Sequence, residues 1–194
     1  FETVIRILGG LLSAFELSAD RIFLTKSVEL ADKMMYAFEK NANGLPCTTI
    51  SLSSKDCRFA SWTGSAAVLA EFGTIQLEFK YLSHHTGDPK YWRAADKIMR
   101  LMQKANKPHD LFPVFMNPRT GLWSSGKITF GALGDSAYEY LIKQWLQTNK
   151  KEPYLREMFD LTMKGMAKLL VHKTSPSGFA YIADWNGASV AHKM

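Results

Sequence analysis

The sequence predicts an all-α fold built from helical hairpins, with short β-hairpins inserted between them. Apolar residues recur with the 3.6-residue period of a helix in six segments of the chain. Apolar segments alternate with segments that carry most of the lysine, arginine and aspartate residues, and polar turns separate the two members of each pair. This alternation predicts two layers, with the odd-numbered helices inside and the even-numbered helices facing water.

The helix boundaries follow from the apolar period and from capping residues. Asp88 and Pro89 are typical of a helix start, Asp88 as the N-cap and Pro89 in the first turn. A polar loop rich in Asn, Gly, Ser and Pro separates the second helix from the third. In chain order the predicted helices cover residues 2–17, 20–39 and 65–86, then begin near residues 88, 135 and 153, the last one ending before residue 174.

Two segments predict β structure. In residues 111–131, LFPVFMNPRTGLWSSGKITFG, an Asn-Pro-Arg-Thr-Gly turn separates two apolar-aromatic runs, which predicts a β-hairpin. Residues 177–187, SGFAYIADWNG, predict one further short strand and turn.

Charge and hydropathy limit the function classes. The net charge is +6, and the basic residues concentrate on the fourth helix, but Asp96 interrupts them and no nucleic-acid motif accompanies them. We therefore predict a solvated outer helix face and no nucleic-acid partner. No apolar stretch reaches the roughly 20 residues of a membrane span. The first residue is Phe1, so we expect a fragment of a longer chain, with a membrane anchor only in a missing upstream segment.

The two cysteines, Cys47 and Cys57, lie ten residues apart in the polar loop. They are too few for a disulfide framework or a zinc site. A single loop disulfide, formed in an oxidising compartment, and two free thiols remain open alternatives.

Three carboxylates lie early in alternate helices. Because the odd helices of a hairpin array point the same way, Glu2, Glu71 and Asp135 are predicted to gather at one end of the fold. One such residue alone is explained by the helix dipole, but three on alternate helices indicate a site. Arg6, one turn after Glu2, can pair with that carboxylate or hold a ligand.

Separated carboxylates in a concave site suit glycoside hydrolysis, in which one acid protonates the leaving oxygen and another carboxylate activates water. Four aromatic residues in or beside the loops can stack on sugar rings or simply pack: Trp62, Trp123, Phe130 and Tyr138. No Ser-His-Asp order, phosphate loop or metal-ligand cluster is present, and the adjacent His84 and His85 are predicted to cap a helix.

Three segments carry a family resemblance: FETVIRILGGLLSAFELS, LAEFGTIQLEFKYLSHHTGDPKY and GALGDSAYEYLIKQWLQTNKK. In order and spacing they resemble the class I α-1,2-mannosidases of glycoside hydrolase family 47, from Phe1 to Met194. The resemblance implies a partial (α/α)7 barrel of about three helical hairpins, a single incomplete catalytic domain over 1–194. It also implies calcium-dependent, inverting removal of terminal α-1,2-linked mannose from oligomannose N-glycans in the secretory pathway.

The same resemblance implies roles by position. Glu2 matches the general acid, thought to act through a water, and Asp135 matches a second catalytic carboxylate. Arg6 and Glu71 match sugar-contacting positions. Leu133 lies where endoplasmic-reticulum enzymes tend to have Arg and Golgi-type enzymes Leu, which favours the Golgi-type branch.

The sequence also departs from the family pattern. Ala137 replaces a Tyr, and both cysteines lie outside the family's usual disulfide. The glutamate assigned as general base, further sugar-binding residues and the calcium-coordinating threonine are expected beyond Met194. We therefore expect the isolated 194-residue piece to be unstable or aggregation-prone, and inactive.

Two other function classes stay open. One is a mannose-binding, lectin-like relative acting in glycoprotein degradation, and the other is a helical-repeat scaffold that binds a protein through its concave face. Glu2→Gln and Asp135→Asn should abolish turnover in a mannosidase and leave binding intact in a scaffold.

Overall fold

The computed structural model describes residues 1–192, which form helical hairpins joined by loops with short β-ladders. A π-helix, Thr3–Leu8, runs directly into the first α-helix. The α-helices are α1 Gly9–Ser18, α2 Arg21–Met34, α3 Tyr36–Glu39, α4 Leu69–Phe72, α5 Gln76–Thr86, α6 Pro89–Lys104, α7 Asp135–Gln147 and α8 Pro153–Leu169. The strands are β1 Thr49–Ile50, β2 Cys57–Arg58, β3 Ala67–Val68, β4 Phe115–Met116, β5 Val171–Lys173, β6 Ala180–Ile182, β7 Asp184–Trp185 and β8 Val190–Ala191.

The turns inside the hairpins use the expected capping chemistry. Asp20 accepts a hydrogen bond from the Ile22 N–H at 2.9 Å and so begins α2. Gly87, at φ +72°, ends α5 in the left-handed conformation, where glycine has no steric penalty. The Asp88 carboxylate then accepts from the Lys90 N–H at 3.0 Å, with Pro89 at the first helical position. The prediction of Asp88 as an N-cap is confirmed.

The hairpins stack side by side in two layers. Helices α1 and α2, α5 and α6, and α7 and α8 pack as pairs, while α5 contacts both α1 and α7 in the inner layer and α6 contacts α8 in the outer layer. These contacts agree with the predicted inner position of the first, third and fifth helices, which correspond to α1, α5 and α7. Large, fully buried side chains fill the space between the layers, among them Phe72, Phe79, Leu82, Tyr91, Ile98 and Phe112. Each contributes about 1.5–3 kcal/mol through apolar burial.

Neighbouring outer helices are joined by the aromatic residues near their starts. The Tyr91 hydroxyl, in α6, donates to the Asp32 carboxylate of α2 at 2.5 Å. The Tyr154 hydroxyl, in α8, donates in the same way to Asp96 of α6. This repeated pair fixes the height of one hairpin against the next.

The structure corrects the predicted third helix, which is not continuous over 65–86. Ala67 and Val68 pair with β4 as strand β3, and the helical part breaks between α4 and α5 around Gly73. A Cβ atom on Gly73 would lie 2.7 Å from the Ala137 Cβ atom of α7, so the break lets two inner backbones approach closely. The helical period of the apolar residues did not reveal this break, because α4 and α5 both keep apolar residues on their buried side.

Other boundaries also differ from the prediction. The second helix ends at Met34 and a further turn, α3, completes the segment to Glu39. The last helix ends at Leu169, and residues 171–173 form β5, paired with β6. The segment 177–187, predicted as one strand, contains two. Strand β6 pairs with β5, and strand β7 pairs with β8.

The predicted hairpin around the Asn-Pro-Arg-Thr-Gly turn is present in short form. The Asn117 N–H donates to the Leu122 carbonyl at 2.8 Å, and Met116 forms a bridge with Trp123. Strand β4 in this segment also pairs with β3, so the hairpin is attached to the start of the α4 segment.

The polar loop between α3 and β3 is closed by a disulfide. Cys47 and Cys57 are bonded, with Cα atoms 5.8 Å apart, and both are buried against Ala37 of α3. Of the two alternatives left by the sequence, the structure contains the disulfide. No helix in the described residues is long and apolar enough to cross a membrane.

Candidate active site

A cavity of about 460 Å³ opens beside the start of the π-helix. Residues 1–4 form one wall, loop residues 46–52 form a second, and the β3–α4 segment forms a third. Glu2 and Glu71 both line this cavity, although 69 positions separate them in the sequence. The prediction that these two carboxylates meet agrees with the cavity lining.

Glu2 forms an ion pair with Arg6, one turn along the π-helix. The two side chains remain 62% and 71% exposed, respectively. Exposed ion pairs contribute at most about 1 kcal/mol to folding stability, so the fold does not depend on this one. The pair therefore presents a carboxylate and a guanidinium that are both accessible to a polar ligand.

Glu71 is in a different environment, because it is half-buried in α4. Burial raises the pKa of its carboxyl group, and two weaker effects oppose the rise: a hydrogen bond from the Thr48 hydroxyl and the positive charge of the Phe1 amine. The Thr48 Oγ1 to Glu71 Oε2 distance is 3.2 Å. Two carboxyl groups of one cavity thus have different surroundings, which is how sites separate acid and base roles.

The amino group of Phe1 links the two carboxylates electrostatically. Burial lowers the pKa of this amine, while the negative charges of Glu71 and Glu2 both act to raise it. In any longer chain this nitrogen is a peptide nitrogen, so its charge is a property of the amine at residue 1.

Asp135 does not line this cavity, but its segment is attached to the segment that carries Glu71. It is the exposed first residue of α7, and its Oδ1 atom accepts from the Ser136 N–H at 2.8 Å. The Ala70 N–H, next to Glu71, donates to the Leu133 carbonyl at 2.9 Å. The turn before Asp135 is therefore hydrogen-bonded to the segment that carries Glu71, but the cavity brings together only Glu2 and Glu71 of the three predicted carboxylates.

The turn before Asp135 depends on its glycine-rich sequence. The N–H groups of Gly134 and Asp135 both donate to the Gly131 carbonyl, at 3.1 and 3.0 Å. A Cβ atom on Gly134 would lie only 2.4 Å from the Thr129 carbonyl oxygen, and Leu133 has φ +80°. Glycine is thus required for the backbone to approach Thr129, and Leu133 occupies a conformation uncommon for a residue with a side chain. This turn sets the position of Asp135.

Most of the candidate stacking aromatics serve packing. Phe130 stacks on Tyr138 with ring centroids 4.0 Å apart, and the Tyr138 hydroxyl donates to the Phe112 carbonyl at 3.1 Å. Trp123 packs against Phe112. Trp62 differs, because it is 65% exposed, in a short 3-10 helix, Ser61–Thr63, that precedes β3. It is the one of the four candidates whose ring is largely accessible.

No metal centre is found within residues 1–192: no group of three or more His, Cys, Asp or Glu side chains could hold an ion there. His85 packs against Phe15, and its Nε2 atom lies 4.0 Å from a Glu16 oxygen. Both histidines lie in the last turn of α5. The described residues therefore supply no ligand set for the calcium that the resemblance implies.

Thr48 is a site residue that the sequence analysis missed. The residues around it predict only a polar loop, and a threonine in such a loop has no distinguishing signal. Cys47, next to it, offers the sole indirect signal, since a disulfide at that point holds the loop against α3.

Comparisons with known proteins identify the family. The family model described as Glycosyl hydrolase family 47 matches residues 1–194. The chain belongs to this family. Family 47 relatives include a mannosyl-oligosaccharide 1,2-alpha-mannosidase of Arabidopsis thaliana, 43% identical over 198 residues that cover 100% of this chain and 35% of that protein. An endoplasmic reticulum mannosyl-oligosaccharide 1,2-alpha-mannosidase of Schizosaccharomyces pombe is 43% identical and covers 96% of this chain and 36% of that protein.

A solved family 47 structure has the same fold. The alpha-1,2-mannosidase from Trichoderma reesei superposes with a TM-score of 0.86 at 27% identity, over 98% of this chain and 42% of that one. The prediction of an all-α, partial (α/α)7 barrel with β-hairpins is thereby confirmed. The chain spans about a third of the length of the curated relatives it matches.

Proposed function

We propose that the protein to which this chain belongs hydrolyses terminal α-1,2-linked mannose residues of oligomannose N-glycans, with inversion at the anomeric carbon. The observation that carries the proposal is the cavity lined by Glu2 and Glu71, and the turn before Asp135 is hydrogen-bonded to the segment that carries Glu71. The similar proteins of Arabidopsis thaliana and Schizosaccharomyces pombe are named mannosyl-oligosaccharide 1,2-alpha-mannosidases.

Each residue has a proposed role, which follows from the family resemblance. Glu2 supplies the proton for the leaving oxygen through a water, and the Arg6 guanidinium beside it keeps the carboxylate oriented. Asp135, exposed at the first position of α7, is the second catalytic carboxylate. Glu71 accepts hydrogen bonds from sugar hydroxyls. An inverting site needs carboxyl groups roughly 6.5–9.5 Å apart to admit a water.

The leucine at position 133 bears on which glycan isomers fit. A leucine side chain there has no charge with which to hold a particular branch, so we propose the broader trimming of a Golgi-type enzyme. The Schizosaccharomyces pombe relative is an endoplasmic-reticulum enzyme at 43% identity, so overall identity does not separate the two branches. The Cys47–Cys57 disulfide supports an oxidising, secretory compartment.

Calcium dependence is part of the proposal, with ligands supplied by sequence other than residues 1–192. A chelator should therefore abolish mannose release by the full-length protein and leave the Glu2–Glu71 cavity of this segment intact.

Single carboxylate variants of the full-length protein test the proposed roles. Glu2→Gln and Asp135→Asn keep shape and remove the ionisable group, so kcat should fall by about a hundredfold to ten-thousandfold. Asp160→Asn is the matched control, because this carboxylate is on outer helix α8 and, within residues 1–192, its ion pair is with Arg156. Mannose release from an α-1,2-linked oligomannose glycan is measured beside glycan binding.

The same experiment separates the other function classes. Glycan binding without mannose release by the unmodified protein would favour the lectin-like relative. Protein binding that Glu2→Gln and Asp135→Asn leave unchanged, with no effect of glycan, would favour a helical-repeat scaffold.

A further inference from the structure

The loop over residues 46–58 forms a wall of the candidate active site and is held in place from behind. Its two ends are joined by the Cys47–Cys57 disulfide, and its strands pair through Ile50 with Cys57. The Cys47 N–H donates to the Ala37 carbonyl of α3 at 3.1 Å, so the disulfide end is attached to the helical core. The loop therefore has one anchored side and one side that faces the cavity.

Thr48 is the next residue after the anchored cysteine, and it faces the cavity. Its hydroxyl donates to Glu71 Oε2 at 3.2 Å, the one side-chain hydrogen bond found for this carboxylate in the described part of the chain. Thr48 and Glu71 are both half-buried and both line the cavity. A carboxylate that is partly removed from water depends strongly on such a donor for its orientation.

We propose that Thr48 is a positioning residue for Glu71, and that the Cys47–Cys57 disulfide holds Thr48 at the distance at which it orients this carboxylate toward the sugar. The inference rests on the proposed function, since it assigns Glu71 to substrate binding. The loop over residues 46–58 thereby contributes to how tightly the site holds the mannose hydroxyls.

Removing the Thr48 hydroxyl changes the titration of Glu71 in a defined direction. The hydroxyl stabilises the charged carboxylate, so its loss raises the pKa of Glu71 beyond the rise that burial causes. The charged group that acts on Glu71 from a neighbouring element is the Phe1 amine. Where Phe1 is joined to a preceding residue, the amine charge is absent. The Thr48 hydroxyl then accounts for more of the stabilisation of the charged Glu71 carboxylate.

The test uses the full-length enzyme with Thr48→Val, which is nearly isosteric but cannot donate, and Thr48→Ser as the matched control that can. We expect Thr48→Val to raise KM about tenfold, the usual effect of losing one hydrogen bond to a charged group, and to change kcat by less than about twofold. The acid limb of the kcat/KM profile should move to higher pH. Thr48→Ser should restore both.

A double-mutant cycle asks whether Thr48 acts through Glu71. In a Glu71→Gln background, Thr48→Val should have less than about a third of its single-variant effect on KM, because the group it orients is gone. The paired Cys47→Ser, Cys57→Ser variant should raise KM in the same direction as Thr48→Val, again only where Glu71 is present. Thermal unfolding of each variant identifies any general loss of stability.

The outcomes separate this inference from the proposed function. If the unmodified enzyme releases mannose and Thr48→Val matches it in KM and in pH profile, the inference is wrong and the proposed function stands. Equal effects of Thr48→Val with and without Glu71 would also overturn it. An unmodified enzyme that neither binds nor hydrolyses the glycan overturns both.

Discussion

At the scale of single residues, the carboxylates of the site differ in how firmly they are held. Glu2 is exposed and paired with Arg6, whereas Glu71 is half-buried with the Thr48 hydroxyl as its donor. Asp135 accepts a hydrogen bond from the adjacent Ser136 N–H. Its position is therefore set by the backbone of the preceding turn. A small substitution in that turn should therefore have a large effect on the position of Asp135.

Gly134→Ala should damage the site through the backbone. The added Cβ atom would lie 2.4 Å from the Thr129 carbonyl oxygen, so the turn must shift and move Asp135 with it. We expect a loss of about 1–3 kcal/mol of stability and a fall in kcat of about a hundredfold, as expected for a catalytic group misplaced by roughly 1 Å. Thermal unfolding and mannose release by the full-length enzyme measure the two effects.

Gly131→Ala is the control for that variant. It lies in the same turn, but its Cβ atom would have an ordinary contact, 3.4 Å from the Thr129 Oγ1 atom. Activity that falls equally in both variants would show that the turn is sensitive to any substitution, and that the close approach at Gly134 is not the cause.

At the scale of elements, one half-buried carboxylate connects the inner helices. Glu78 of α5 accepts from the Tyr140 hydroxyl of α7 at 2.9 Å, and its carboxylate lies beside Gly9 of α1. Its other oxygen is buried and has no hydrogen-bond partner within residues 1–192. An unpaired buried oxygen favours the protonated acid, and burial accordingly raises the pKa of Glu78. A hydrogen bond from its own backbone, the Tyr140 hydroxyl and the charge of Lys143 oppose the rise.

This arrangement predicts that stability falls as pH rises. Below its ordinary pKa of 4.5, Glu78 is protonated in both the folded and the unfolded chain. As pH rises above 4.5 the unfolded chain releases the proton first, so the free energy of unfolding decreases until the raised folded-state pKa is passed. Glu78→Gln should remove this contribution and make the variant's advantage over the unmodified protein grow with pH.

Unfolding temperatures of the full-length protein and Glu78→Gln, measured from pH 4 to pH 8, provide the check. Gln keeps an acceptor for the Tyr140 hydroxyl, so packing changes little. A difference between the two proteins that stays constant across this range would contradict the account of Glu78.

At the scale of the whole molecule, the inner layer has apolar side chains that nothing in the described residues covers. Leu17 of α1 is 90% exposed, Ile7 of the π-helix 55% and Leu146 of α7 54%. In a closed (α/α)7 barrel the inner helices at both ends of such an array would pack against further hairpins. Exposed apolar surface of this kind promotes association.

The isolated 194-residue piece should therefore associate and be inactive. We expect aggregates or oligomers in size-exclusion chromatography, binding of a hydrophobic dye, and no mannose release. A monodisperse piece ending at Met194 that releases mannose would contradict this expectation. The full-length protein, assayed in parallel, shows that the substrate and buffer support activity.

The sequence predicts the layers and the site to different degrees. The helical period and the Asp88 cap are local signals, so the hairpins and their inner and outer positions follow from them. The break at Gly73 and the donor Thr48 depend on contacts with α7 and with a distant loop, which no local pattern contains. The meeting of Glu2 with Glu71 is predictable from the parallel direction of the inner helices, whereas the environment of each carboxyl group is not.

The central claim is tested most directly by the configuration of the first sugar released. Full-length protein is mixed with an α-1,2-linked oligomannose glycan, and proton NMR follows the anomeric signals before mutarotation. The account predicts that β-mannose appears first, because a single displacement by water inverts the α-linkage. Release of α-mannose first, or no release of mannose at all, would contradict it.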